Sequence, residues 1–275
     1  MKYFSSFLFF FFLSVSLFAQ YEYLVSVHNK LGNKIQYASI SWGKTTGISA
    51  NESGIAKISS TSPIDTIYAS SVGYPIQSFL IKDLPRSGDT IRIVLFEQND
   101  FLPPITIFSK EKIAEVGITE KETSFISNRY RNVIAALEVR QPSELCKIKS
   151  VSVFIHKNSQ LNVPFRIRIF SKNSSGLPDN DLLTSNVICK SYQNNQWNEI
   201  SLENDNVFIN AKVFFIAIEW LNITELKDNN DLQVGLTNKS LQIGTFFKLA
   251  NKPWRKSVTT GSKFDNIMLK ANLVY

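Results

Sequence analysis

Two histidines, His28 and His156, are the only imidazoles in a chain of 275 residues. Acid–base chemistry near neutral pH would run first through one of them. Neither belongs to a His-x-His or His-x-x-x-His pair, so the spacing of a zinc peptidase is missing. No Gly-x-Ser-x-Gly elbow occurs, and a Ser-His-Asp triad would have to recruit one of the same two histidines. Glu219 is the one carboxylate inside a strongly apolar run, VFFIAIEWL. Burial would raise its pKa and make it a general acid, as in glycosidases. No second carboxylate can be assigned to it, and the competing reading pairs it with Arg166 or Arg168 on a facing strand. Cys146 and Cys189 are too few for a CxxC…CxxC zinc site, and neither stands beside a basic cluster that would activate a thiolate. In an oxidising compartment they could pair, stabilising the fold by about 4 kcal/mol. Otherwise both are small hydrophobes on strands. Asp179 and Asp181, and Asp228 and Asp231, offer hard oxygen ligands for a structural calcium, although turn formation explains those residues equally well. Trp42, Trp197 and Trp220 fit core positions. Trp254 and Arg255, in the polar segment NKPWRK, are the candidate ligand contacts; the alternative makes Trp254 a lid over one end of the fold.

The surroundings of these residues narrow the chemistry further. Lys2, an apolar run from Phe7 to Phe18 and then Ala19 have the parts of a secretory signal, cut after residue 19. A membrane anchor is the rival reading, but a span needs about 20 apolar residues. No cysteine follows the run to carry a lipid, and no second stretch reaches spanning length, so the mature chain is expected not to span a membrane. Its destination is the periplasm, the outer-membrane surface or the medium. Net charge is +7, and the basic residues are scattered. No basic block exists to track a phosphate backbone, which excludes nucleic acid as an expected partner.

Helical periodicity is nearly absent, while alternating apolar strands recur between turn residues, the pattern of β-sandwiches. Residues 20–110 are expected to form one domain of about seven short strands. In it, Ile35 to Trp42 reads as a strand, Asn51-Glu52-Ser53-Gly54 as a turn whose glycine takes positive φ, and Ile105, Ile107 and Phe108 as a late edge strand. Residues 111–275 are expected to form a second sandwich opening at Ile148. Its central buried strand is Val213 to Trp220, and residues 174–181 read as a loop.

The order Tyr37-Ala38-Ser39-Ile40, Asn51-Glu52-Ser53-Gly54, Asp65-Thr66-Ile67, Ser70-Ser71-Val72-Gly73-Tyr74 and Asp89-Thr90-Ile91 resembles the carboxypeptidase-regulatory-like domain common in exported proteins of Bacteroidota. The resemblance covers about Tyr23 to Phe108 and implies a seven-stranded, transthyretin-like sandwich. That domain is the non-catalytic accessory of carboxypeptidases. The second region resembles the jelly-roll-like sandwich that follows it in some such proteins. The shared marks are Arg166 to Phe170, Gly176 to Leu183, Trp197 and Phe214 to Trp220.

Together these readings predict an all-β, exported, non-enzymatic binding or scaffolding protein of the bacterial cell envelope. It would need no cofactor beyond a structural calcium, and its partner would be an envelope protein or a glycan. One alternative is a carbohydrate-binding module acting through the second sandwich. The other is a hydrolase built on Glu219 or His156.

Overall fold

The computed structural model describes residues 20–97, 112–127, 133–223, 231–239, 244–257 and 265–275. The expected signal at residues 1–19, the boundary at Lys110, the edge strand at Ile105 to Phe108 and Asp228 lie outside them.

Among the described residues every regular element is a strand apart from two short 3₁₀ turns, Ile81–Asp83 and Glu203–Asp205. The chain folds as two packed β-sandwiches, as the alternation predicts. In the first, one sheet has the order Ile55–Ser60, Tyr21–Asn29, Thr90–Leu95, Arg86–Ser87, and the other Thr46–Ser49, Ser39–Trp42, Thr66–Ser71, Tyr74–Leu80. Tyr21–Asn29 and Thr90–Leu95 pair in parallel. Their alternate residues Val25, Val27, Ile91, Ile93 and Leu95 are all fully buried between the sheets. The Asn51 turn forms as expected: Asn51 Oδ1 accepts from the amides of Ser53 and Ile55, and Gly54 sits at φ +68°.

The expected strand from Ile35 to Trp42 is cut short. The strand begins at Ser39, because Tyr37 takes φ +54° and breaks the extended run. A bulky residue rarely adopts that conformation. Its consequence appears at the junction of the two sandwiches.

In the second sandwich, one sheet runs Ser124–Ser127, Gln233–Thr237, Cys146–Ile155, Leu269–Val274, Ile113–Gly117. Gln196–Ser201 and Phe208–Ile209 also pair with the Cys146 strand, and Asn266–Ile267 pairs with the Gln233 strand. The facing sheet runs Pro178–Asp181, Pro164–Lys172, Val213–Trp220, Val133–Arg140, Thr245–Leu249, Arg255–Lys256, with Val187–Lys190 also paired to the Pro164 strand. Val213–Trp220 lies centrally and is buried on both faces, as its unbroken apolar run requires.

Three strands come before the expected opening at Ile148, namely Ile113–Gly117, Ser124–Ser127 and Val133–Arg140. The last is a central strand whose AALE core carries a helical propensity. Pairing on both sides, with Val213–Trp220 and Thr245–Leu249, overrides it. Residues 178–181, read from sequence as loop, pair with the Pro164 strand beyond a turn whose Asn173 Oδ1 accepts from the amides of Ser175 and Leu177.

Of the two readings left open for the cysteines, the structure shows the unpaired one. Cys146 is buried in one sheet and Cys189 lies in the facing one, and both are free thiols packed against the core. Burial, and for Cys189 the charge of Asp205, raise both thiols, Cys189 to about 12. Neither ionises near neutral pH.

Candidate functional site

The outer face of the sheet containing Val213–Trp220 is the floor of the site. Cross-strand register places Lys248, Ile134, Glu219 and Arg166 in one row, and Phe246, Ala136, Ala217 and Arg168 in the next. Every other residue of these strands points there, and the alternate set fills the core. Charges on an otherwise apolar face require partners. Arg166 and Glu219, fully buried and nearly so, stand directly opposite each other with Arg166 Nη1 donating to Glu219 Oε2 at 2.9 Å. Arg168 Nη1 donates to the same oxygen at 3.2 Å, and its Nε donates to Asp181 Oδ2 at 2.7 Å.

The first sandwich closes over this row. Ser39 Oγ donates to Glu219 Oε1 at 2.6 Å. Arg166 Nη2 donates to the carbonyl of Tyr37, the residue at positive φ. Asn222 accepts from Ser49 N at 2.7 Å through its carbonyl and donates from Nδ2 to Gly47 O at 2.8 Å. A parallel bridge joins Ser49 to Ile223. Tyr37 packs with Leu221 and Ile223, while Val72 enters the second sandwich's core. The two sandwiches therefore share apolar packing, backbone hydrogen bonds and a buried ion network.

Beside the network the sandwiches part and leave a cleft of about 290 Å³. The first sandwich contributes Ser70, Tyr68 and Tyr74; the second contributes Arg168, Lys248, Asp179, Asn180, Asn251 and Trp254. Trp254 meets Phe170 edge-on, with ring centroids 5.4 Å apart. Asn251 ties the wall to the first sandwich, its Oδ1 accepting from Ser41 Oγ at 2.7 Å.

Several residues expected to act separately thus meet in one place: Trp254, Asp179, Asp181 and Glu219 all line the cleft. Their roles change on the way. Burial alone would raise the Glu219 carboxyl, but the charges of Arg166 and Arg168 and the Ser39 hydrogen bond hold it down to about 2. It is held as a carboxylate with both oxygens hydrogen-bonded. Asp181 is committed to Arg168 and to the amide of Leu183. Among the described residues no group of three or more His, Cys, Asp or Glu side chains gathers as a metal site, at Asp179 and Asp181 or elsewhere. Asp231 accepts from Gln233. Arg255 does not share the site with Trp254. It is exposed, opposite Phe247, and strand alternation turns it to the other face.

The histidines are structural in their contacts. His28 bridges Gly32 O and Ser26 Oγ at 3.0 and 3.1 Å. His156 is bonded through Nδ1 to Glu122 Oε1 at 2.8 Å and stacked on Phe125. Lys248 was not singled out from sequence. Its signal was there: a lysine alternating with Phe246 in TFFKL, the same anomaly that marked Glu219.

No family model matches the chain, and no curated protein matches it. Solved structures align only distantly. Two are of a clostridial cysteine protease, at 10% and 12% identity and TM-scores of 0.39, and each alignment covers 86% of this chain. One of these is described as the cysteine protease and lectin-like domains of a surface layer associated protein of Clostridium difficile. The chain spans 64% and 57% of the length of those two structures, less than two thirds of either. The major pilin subunit of Bacillus cereus aligns at 9% identity and a TM-score of 0.21, over 87% of this chain and 67% of that one. Carbohydrate-binding modules of the β-sandwich superfamily align at 8% identity and a TM-score of 0.20, over 74% and 83%. At such identities and TM-scores no site or activity passes from these proteins to this chain.

Proposed function

We propose that this is an exported, non-catalytic binding protein of the bacterial cell envelope that holds a saccharide in the cleft between its sandwiches. The observation that carries this reading is the make-up of the cleft. Trp254, Tyr68 and Tyr74 supply ring surfaces, and Asn180, Asn251, Ser70 and Asp179 supply hydroxyl-matching donors and acceptors. A mostly apolar pocket with a few polar groups is the common form of a small-molecule site. This one is lined about evenly by polar and apolar surface, which suits a ligand with both ring faces and hydroxyls.

The groups that could do chemistry there are spoken for. Glu219 is locked as a carboxylate, and His156 lies in a separate recess, where Glu122 and Phe125 occupy it. This supports a non-enzymatic role over the hydrolase alternative. The resemblance of Tyr23 to Phe108 to the carboxypeptidase-regulatory-like domain points the same way and supports an origin in the Bacteroidota. Export rests on Lys2, the Phe7 to Phe18 run and Ala19.

The test is a glycan array read with the mature chain and with Trp254→Ala. Binding that falls about two- to tenfold or more in the variant supports the cleft, since loss of an aromatic stacking partner costs about 0.5–1.5 kcal/mol. Binding that Trp254→Ala leaves unchanged, or an array without signal, overturns it. Release of reducing ends from a bound glycan would restore the hydrolase reading.

A further inference from the structure

We propose that the cleft selects a saccharide bearing a carboxylate, and that Lys248 is the residue that pairs with it. The inference rests on the saccharide reading and adds the charge of the ligand. Three cations, Arg166, Arg168 and Lys248, stand on the floor around two carboxylates, Glu219 and Asp181. The arginines use both: Glu219 takes Arg166 and Arg168, and Asp181 takes Arg168. Among the described residues, Lys248 has no carboxylate within ion-pair distance and no hydrogen-bond partner. Its ammonium stands 5.9 Å from the Trp254 ring centroid.

An ammonium half-withdrawn from water with no carboxylate in direct contact is held at a cost. Burial, reinforced by the neighbouring Arg168 charge, lowers the pKa of Lys248, and the more distant Glu219 charge offsets this only in part. A ligand carboxylate at the ammonium would offset the cost of its burial by direct charge attraction. The remaining cleft carboxylate, Asp179, is exposed at the rim, where its Oδ2 accepts from Asn180 Nδ2 at 3.4 Å. Water screens it there more than it screens the floor. The ring surface of Trp254 lies next to the ammonium, so a pyranose against the indole would carry its acid group to Lys248. A uronic or sialic acid residue has that arrangement of ring and charge.

The experiment is calorimetric titration with oligosaccharides containing glucuronate, galacturonate or sialate, each alongside its methyl ester. The ester keeps the ring and hydroxyls and removes only the charge. The acids are expected to bind about ten- to hundredfold tighter than their esters, the range for a hydrogen bond to a charged group. In Lys248→Met, which keeps the length of the apolar stem, acids and esters are expected to bind alike, while Trp254→Ala weakens both. Thermal melts of each variant confirm that the fold is retained. If wild-type protein binds esters as well as acids, or if Lys248→Met keeps the preference, the inference falls and the saccharide reading stands. If neutral and acidic glycans alike fail to bind, the saccharide reading falls and takes this one with it.

Discussion

Arg166 is the residue on which the molecule's electrostatics turn. A guanidinium buried without water is tolerated because Glu219, Ser39 and the Tyr37 carbonyl surround it. Breaking such a set by removing one member leaves an uncompensated buried charge, at a cost of about 3–5 kcal/mol. Arg166→Met should therefore lower stability by that amount in urea unfolding. A loss below about 1 kcal/mol would mean that Arg168 alone satisfies Glu219. The network also predicts the pH response. The Glu219 carboxyl sits at about 2 in the folded chain, against an ordinary 4.5. Its contribution is complete above the unfolded value and is lost as pH falls through the folded one. The linkage is on the order of 3 kcal/mol. Stability should decline between pH about 4.5 and about 2, and Glu219→Gln should flatten that part of the profile while lowering the plateau at neutral pH.

At the scale of elements, turn and strand chemistry explain both what was legible and what was not. Gly54 closes its turn at φ +68°, and a Cβ there would stand 3.1 Å from Lys34 Cβ and 3.2 Å from Ile35 O. Gly54→Ala should destabilise by about 1 kcal/mol or more, read as a shift in urea midpoint without a change in slope. An unchanged midpoint would mean that the turn relaxes to negative φ. That glycine was readable because a turn is a local object. Val133–Arg140 was not. Its alanines favour helix, and only pairing with two neighbours far along the chain makes it a central strand. Residues 178–181 were read as loop for the same reason. Asp-Asn-Asp favours turns, yet hydrogen bonds to the Pro164 strand and the Arg168 ion pair draw it into the sheet edge.

For the whole molecule, the contacts between sandwiches set the unfolding behaviour. Ser49, Gly47 and Asn222 continue one sheet edge onto the other sandwich, and Val72 joins the larger core. Interfaces between domains are commonly small and polar, leaving domains to move and melt separately. Here the ion network lies across the join. Differential scanning calorimetry of the mature chain should show one transition, and Arg166→Met should divide it in two. Two transitions in the unsubstituted chain would show that the interface adds little to either sandwich.

What the sequence determined by itself was the class of structure and the roll of unusual residues. Period-two alternation specifies strands, and their spacing specifies sandwiches, because both follow from neighbours along the chain. The same text exposed Glu219 and Trp254 as residues out of keeping with their surroundings. The pairing of Glu219 with Arg166 or Arg168 was readable too; tertiary structure alone decided that both arginines and Ser39 share that carboxylate, that Arg255 faces away from Trp254, and that the cysteines stay apart in facing sheets. It also decided that one cleft gathers Trp254, Asp179, Asp181 and Lys248. Those outcomes depend on register between strands distant in sequence and on how one sandwich lies against the other. A buried charge takes its role from partners that only folding brings within a few ångströms.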